Sequence, residues 1–426
     1  MRYLPRSHLA GVLPRAAAHL FETAHSAHPN RGERPRTAWI LQFTQRRAPG
    51  DPHRTHQKLA QGQERSTRVL TDPGAIVRAQ LAGLGNRRAR GRRAARVLVV
   101  GDFGNGDTGD EALLARALGE LPRGTEVSVL SRNPRLVEWT HGVPSRPMTA
   151  LSFAGGLRWS DAVLVVGGGM FGAGLPPLVR LLPWVVDAAK AAGRDTVYLA
   201  IGAYPGMPPA VARRLRAAAR ELGRVTVRDR LSAETLGANV PNVGDLALRL
   251  RPEPPEHAAR ALACAGVDTS TPLLLLSLKA VPDPAKMAAL ADSCLLAARR
   301  WREHGGSVAA LALSTHADHG LGLARRDAAL AAELADRLGA PLPVLGPQLP
   351  PALAKAVVGR AAGVLGLRMH AMVFAVGSGV RCAGFAWEEK TRAFLVEADH
   401  ATILDPKTPK SVTDWVDATI AAVSAA

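Results

Sequence analysis

The chain has 426 residues, enough for two or three domains at roughly 100–200 residues each. Apolar residues make up 47% of it, so a large core can form, and no run of 18 apolar residues is present that could cross a membrane. The net charge of +18 suggests a nucleic-acid binder, but residues 1–96 hold 19 Lys and Arg against 5 Asp and Glu, which leaves the remaining chain at 35 against 31.

Residues 1–95 show neither a helical nor a strand period and end in the run Arg87-Arg88-Ala89-Arg90-Gly91-Arg92-Arg93. They carry too little apolar surface to offset chain entropy, so a mostly disordered basic extension is expected. Three readings stand open for it: a basic tether, a processing segment, or translation upstream of a true start near Val69 or Val77. The first 21 residues lack an uninterrupted apolar stretch and do not read as a secretory signal.

From Arg96 the pattern changes. Val97–Val100 is a short apolar run closed by Gly101, as expected of a buried parallel strand, and a helix is predicted over about Asp110–Leu121. Further strands are predicted at Glu126–Ser131, Ala162–Val166, Thr196–Ile201 and Val225–Val227, with helical segments between them. A Pro/Glu-rich break at Arg251–His257 separates this series from a second one. There the strands are Pro272–Leu278, Ser307–Leu313, Val364–Leu367 and Cys382–Ala386, and the last helix is about Ser411–Val423. Strands alternating with helices imply a parallel sheet covered on both faces. The expected fold is therefore α/β, with two Rossmann-like doubly wound lobes, 96–255 and 256–426, facing a cleft.

Four motifs carry chemistry. The first is the Gly-rich turn Gly101–Glu111, which contains a literal GxGxxG from Gly104 to Gly109. A dinucleotide site would need its first glycine at the strand end, three residues earlier, so an NADP-dependent oxidoreductase is a minor reading here. Asp110 and Glu111 stand at the start of the following helix, where acidic residues also serve as simple caps. The second motif is Gly167-Gly168-Gly169 at a strand's C-terminal end, either a ligand-approach site or a tight turn. The third is Val227-Arg228-Asp229 with Ser232, either an anion site or an ion pair. The fourth is Arg368-Met369-His370-Ala371. An apolar strand delivers an Arg suited to bidentate anion recognition, and beside it a His suited to acid–base work. Lys390 follows the next strand and adds a cation or a solvated side chain. His316 and His319 flank Asp318, but no metal is expected. Cys264, Cys294 and Cys382 are few and far apart, which fits small buried hydrophobes in a reducing compartment.

Taken in order, Gly109-Asp110-Glu111-Ala112, the triple glycine, Ile201-Gly202, Val227-Arg228-Asp229 with Ser232, Gly244–Ala247, Arg368–Ala371 and Lys390 resemble the polysaccharide pyruvyltransferase family. The resemblance covers about Val97–Phe394. It implies a fold similar to the two-Rossmann-lobe (GT-B-like) glycosyltransferases. It also implies transfer of pyruvyl from phosphoenolpyruvate to a sugar or glycan-precursor acceptor, usually as a cyclic ketal on two hydroxyls. Phosphoenolpyruvate would be a substrate, with no cofactor, in a cytoplasmic protein or one peripheral to the inner membrane face. Donor binding would fall to Arg228, Lys279, Arg368, Lys390 and Gly167–Gly169, with His370, Arg368, Asp110 and Glu111 as the catalytic set. Two departures stand out. Asp107 occupies a position where the family commonly has Asn, and Lys279 lies where an Arg is common. The rival expectations are a glycosyltransferase with a nucleotide-sugar donor and a non-catalytic binding protein working through its basic arm.

Overall fold

The computed structural model describes residues 72–85, 94–175, 177–237, 239–315, 327–346, 349–398 and 401–425. Most of the basic N-terminal segment and the His316–His319 cluster lie outside these residues. The first lobe comprises α1 (Pro73–Leu81), β1 (Arg96–Val100), α2 (Thr108–Glu120), β2 (Glu126–Ser131), α3 (Pro134–His141), β3 (Ser145–Pro147), α4 (Ala150–Trp159), β4 (Ala162–Val166), α5 (Pro177–Ala191), β5 (Asp195–Ile201), α6 (Pro209–Ala219), β6 (Val225–Val227) and α7 (Arg230–Leu236). A 3-10 helix at Leu246–Arg249 leads to the second lobe. That lobe holds α8 (Pro255–Cys264), β7 (Leu273–Ser277), α9 (Pro284–Glu303), β8 (Ser307–Leu311), α10 (Asp327–Leu338), β9 (Val344–Leu345), α11 (Pro351–Val358), β10 (Gly363–Gly366), α12 (Met369–Val376), β11 (Arg381–Phe385), α13 (Glu389–Glu397), β12 (Ala401–Leu404) and α14 (Pro409–Ser424).

Each lobe is a six-stranded sheet, β3-β2-β1-β4-β5-β6 and β12-β11-β10-β7-β8-β9, with every ladder parallel. Numbered within its own lobe, each sheet has the order 3-2-1-4-5-6 of the dinucleotide-binding fold, with a switch point where the winding reverses. The switch points lie between β1 and β4 and between β10 and β7. The buried runs Val97–Val100, Ala162–Val166 and Leu273–Ser277 are apolar on both faces because helices cover both.

One apolar cluster spans the lobes, joining Val97, Leu113 and Val166 to Leu273, Met372 and Phe374. A separate cluster fills each lobe's outer face. Helix α1 stands where the sequence reading expected no regular structure. Asp72 caps it, Val77 and Leu81 are buried, and Gln80 bonds the Tyr198 carbonyl and the Thr226 hydroxyl. No helix among the described residues is long and apolar enough to cross a membrane.

The Gly104 backbone in the Gly-rich turn is used inside the protein. Gly104, at φ 71°, packs where a Cβ would lie 2.6 Å from the Asn133 nitrogen, and its own N–H is held by Glu111. The turn is also stitched to the second lobe. Thr108 N–H donates to the Leu313 carbonyl, Thr315 N–H donates to the Gly106 carbonyl, and Asp107 bridges Ser314.

Candidate active site

A cleft of about 90 Å³ opens where the two sheets' C-terminal edges meet. Asp107, Asp110, Gly169, Arg228, Lys279, Arg368, His370, Glu388 and Lys390 are among its lining residues. The topology explains the convergence. Asp107 and Asp110 follow β1 and Gly169 follows β4, at one switch point. Lys279 follows β7 and Arg368 and His370 follow β10, at the other. Ligands of open α/β sheets bind at such carboxyl edges.

Within the triple glycine, Gly167 is required by a close backbone approach, and Gly169 meets side chains of the cleft. A Cβ on Gly167 would lie 2.1 Å from the Ala200 oxygen, and one on Gly169 would lie 2.9 Å from Lys390 Cδ and 3.1 Å from Arg228 Nη2. Ala200 itself has φ 49°, in the region that disfavours a side chain, at a break in the β5–β6 register. That kink turns the end of β5 so that Gly202 passes beneath Arg228, where a Cβ would be 3.0 Å from Nε.

Arg228 is buried, and its Nε and Nη2 donate to the Tyr204 hydroxyl at 2.9 and 2.6 Å. Tyr204 donates in turn to Asp229, whose other oxygen caps α7 through Ser232 N–H. Asp229 and Asp245 lie 3.5 and 3.6 Å from the guanidinium. Burial alone would weaken the Arg228 charge, but Tyr204 and the two carboxylates outweigh it and raise its pKa, so the cation is permanent. Ser232 is structural, its hydroxyl accepting from Ala203 N–H. Lys279 lies 4.8 Å above the Trp387 ring and 3.8 Å from Glu388, which is 3.5 Å from Lys390.

Arg368 lines the cleft with its charge already matched. Its Nε and Nη2 form a fork on Asp327 at 2.9 and 2.7 Å, and Nη1 reaches Asp107 across the lobes at 3.3 Å. His370 sits in the first turn of α12, and burial holds its imidazole below the usual histidine range, so it is neutral at neutral pH. Asp110 is pushed the other way. Burial first, then the Asp107 and Asp102 carboxylates, raise it well above the ordinary carboxyl range.

Of the residues the sequence singled out, Asp110, Gly169, Arg228, Lys279, Arg368, His370 and Lys390 come together. Gly167 and Gly168 shape the wall behind them. Glu111 does not join them. It is buried, accepts from Gly104 N–H at 2.7 Å and pairs with His141 at 2.6 Å. The helix cap is also one turn earlier than expected, since Asp107 accepts from the Gly109 and Asp110 amides. Those amides are the donors a pyrophosphate would need, which removes the basis of the dinucleotide reading. Sequence reasoning missed Tyr204, Asp327 and Glu388, carboxylates and a phenol whose spacing carries no local signal. Among the described residues, no group of three or more His, Cys, Asp or Glu could hold a metal ion.

Among solved structures, the chain is similar to the ADP-heptose LPS heptosyltransferase II of E. coli, at 13% identity over 77% of this chain and 99% of that one, with a TM-score of 0.44. It is also similar to the UDP-GlcNAc 2-epimerase of Methanocaldococcus jannaschii, at 12% identity over 76% and 91%, with a TM-score of 0.44. A glycosyltransferase from Rickettsia africae matches at 9% identity over 78% and 89%, with a TM-score of 0.46. A search of curated proteins returned no match. The family profile described as polysaccharide pyruvyl transferase matches residues 107–389, from the capping Asp107 to the first residue of α13. That span is most of the two lobes and includes nearly all of the cleft residues, and the chain belongs to the polysaccharide pyruvyl transferase family.

Proposed function

We propose that the cleft transfers the pyruvyl group of phosphoenolpyruvate to two hydroxyls of a sugar in a glycan or glycan precursor, giving a cyclic ketal. The observation that carries this reading is the meeting of Arg228, Lys279 and Lys390 with His370 in one small cleft. Phosphoenolpyruvate brings a phosphate and a carboxylate, and these cations match both.

The acceptor hydroxyl adds to C2 of the enol while C3 takes a proton, giving a tetrahedral ketal phosphate. Inorganic phosphate then leaves with the C–O bond electrons and takes the proton held by His370, and the second hydroxyl adds to the same carbon and gives its proton to the Asp110 carboxylate. His370, neutral through burial, is the base that takes the hydroxyl proton. Asp110, whose hold on its proton burial and its acidic neighbours strengthen, is the acid for C3. General acid–base help of this kind is typically worth about 10²–10⁴-fold. Arg368 supports the site through its fork on Asp327 and presents the edge that reaches Asp107.

The test is phosphate release from phosphoenolpyruvate against a panel of sugar acceptors, with His370→Ala as control. Acceptor-dependent release that is lost in the variant supports the proposal. Absence of both release and phosphoenolpyruvate binding by calorimetry overturns it.

A further inference from the structure

Among the described residues, the buried polar atoms that lack hydrogen-bond partners include His370 Nε2 and Asp245 Oδ2, both at the lobe junction. They face one another at 3.7 Å. The other oxygen of Asp245 is committed. Asp245 Oδ1 accepts from Ala247 N–H at 2.9 Å and so caps the 3-10 helix between the lobes. The Nδ1 side of the His370 ring lies beside the bare Gly109 at the start of α2, along the cleft that His370 lines. Buried donors and acceptors are nearly always paired in folded proteins, so an unpaired pair facing each other calls for an explanation such as a catalytic role. A closure of about 0.8 Å would turn this contact into a hydrogen bond. Catalytic hydrogen bonds are often that long before substrate arrives.

We infer that Asp245 is the positioning residue for His370: its Oδ2 accepts the Nε2–H, fixes that tautomer and leaves Nδ1 as the nitrogen that exchanges a proton with the substrate. The same oxygen lies 3.6 Å from Arg228 Nη1, so one carboxylate sits between the histidine and a donor-binding cation. Around the imidazole, Asp245 and Asp107 favour its protonated form, and Arg228 and Lys390 oppose it. Removing the Asp245 charge tips that balance. The histidine's catalytic role rests on the proposed pyruvyl transfer, whereas the tautomer and the pairing do not.

Asp245→Asn is the informative change, because Asn retains an oxygen to cap Ala247. In the full-length protein with labelled histidine, NMR nitrogen shifts report the His370 tautomer, and His370→Ala assigns the signal. The expected results are an Nε2–H tautomer in the unmodified protein and a titration midpoint lower by about 1 in Asp245→Asn. An Nδ1–H tautomer for the assigned signal, or an unchanged midpoint, overturns the inference. In the kinetic arm, Asp245→Asn lowers kcat for phosphate release at least about tenfold, and it costs nothing further on a His370→Ala background. Additive losses would mean that Asp245 acts only through Arg228 or the fold, which also overturns it. If the unmodified protein releases no phosphate from phosphoenolpyruvate, the proposed function fails alone, and the NMR arm still decides the pairing.

Discussion

Gly109 and His370 begin helices in opposite lobes and touch so closely that a Cβ on the glycine would lie 1.9 Å from His370 Nδ1. The ring thus rests on the bare backbone of α2, and the first turn of that helix serves as its backstop. Gly109→Ala separates packing from stability. Alanine favours a helix by up to about 1 kcal/mol over glycine, so the fold should tolerate the change. The imidazole must move, however, and a displacement of about 1 Å can cost 10²-fold in rate. The expected outcome is a melting temperature within a few degrees of the parent and kcat lowered about 10²-fold, read by thermal unfolding and phosphate release.

Arg228 has two roles that two substitutions separate. Its fork on Tyr204 fixes the guanidinium, and its charge balances Asp229 and Asp245. Arg228→Lys keeps the charge and loses the fork, so KM for phosphoenolpyruvate should rise at least about tenfold with stability largely retained. Arg228→Met leaves two buried carboxylates uncompensated and should destabilise by about 3–5 kcal/mol in urea unfolding. Equal stability of the two variants would show that the charge is not what holds this corner of the site.

Most of the strands that were legible in the sequence lie inside the sheets. Glu126–Ser131 and Ala162–Val166 stand where the apolar runs put them, because a strand covered on both faces is largely apolar, and the edge strand Val225–Val227 was legible because all three of its residues are buried. The short strands β3, β9 and β12 were not read, since they lie at sheet edges, run two to four residues and hold half-exposed positions such as Arg146 and Ile403. The cleft cations were legible for a similar reason, since each follows a strand and topology alone carries it to the carboxyl edge. Their partners were not. Asp327 reaches Arg368 from the start of α10, 41 residues away in the chain, and Asp245 reaches His370 from the linker. Glu111 shows the limit of motif reading, because one position along a helix turns a side chain by about 100°. Asp110 therefore faces the cleft while Glu111 faces the turn behind it.

That difference predicts contrasting outcomes for the two carboxyls. Glu111→Gln keeps an acceptor for Gly104 N–H and a partner for His141, so phosphate release should stay within about twofold of the parent. Asp110→Asn removes the group assigned as acid and should lower kcat by about 10²-fold or more. Parallel assays of the two variants at one pH are sufficient, and equal losses would undo the assignment of the acid to Asp110.

Lys355 supplies a pH-dependent element at the junction. It is buried under the linker, where its ammonium donates to the Ala247 and Leu248 carbonyls, two and three residues past Asp245. Burial first, then the Arg116 and Arg249 charges, pushes it down from 10.5 to about 8. Between those values the unfolded chain still holds a proton that the folded chain has released, so raising the pH favours the folded state. The unfavourable contribution is complete below about pH 8, shrinks as pH rises and is gone above about 10.5. Lys355→Met has no proton to release, so the stability of the parent relative to this variant should climb from pH 8 to pH 10, as measured by urea unfolding at each pH. A flat difference would mean that the ammonium keeps its ordinary affinity for the proton and that the two carbonyl hydrogen bonds offset its burial.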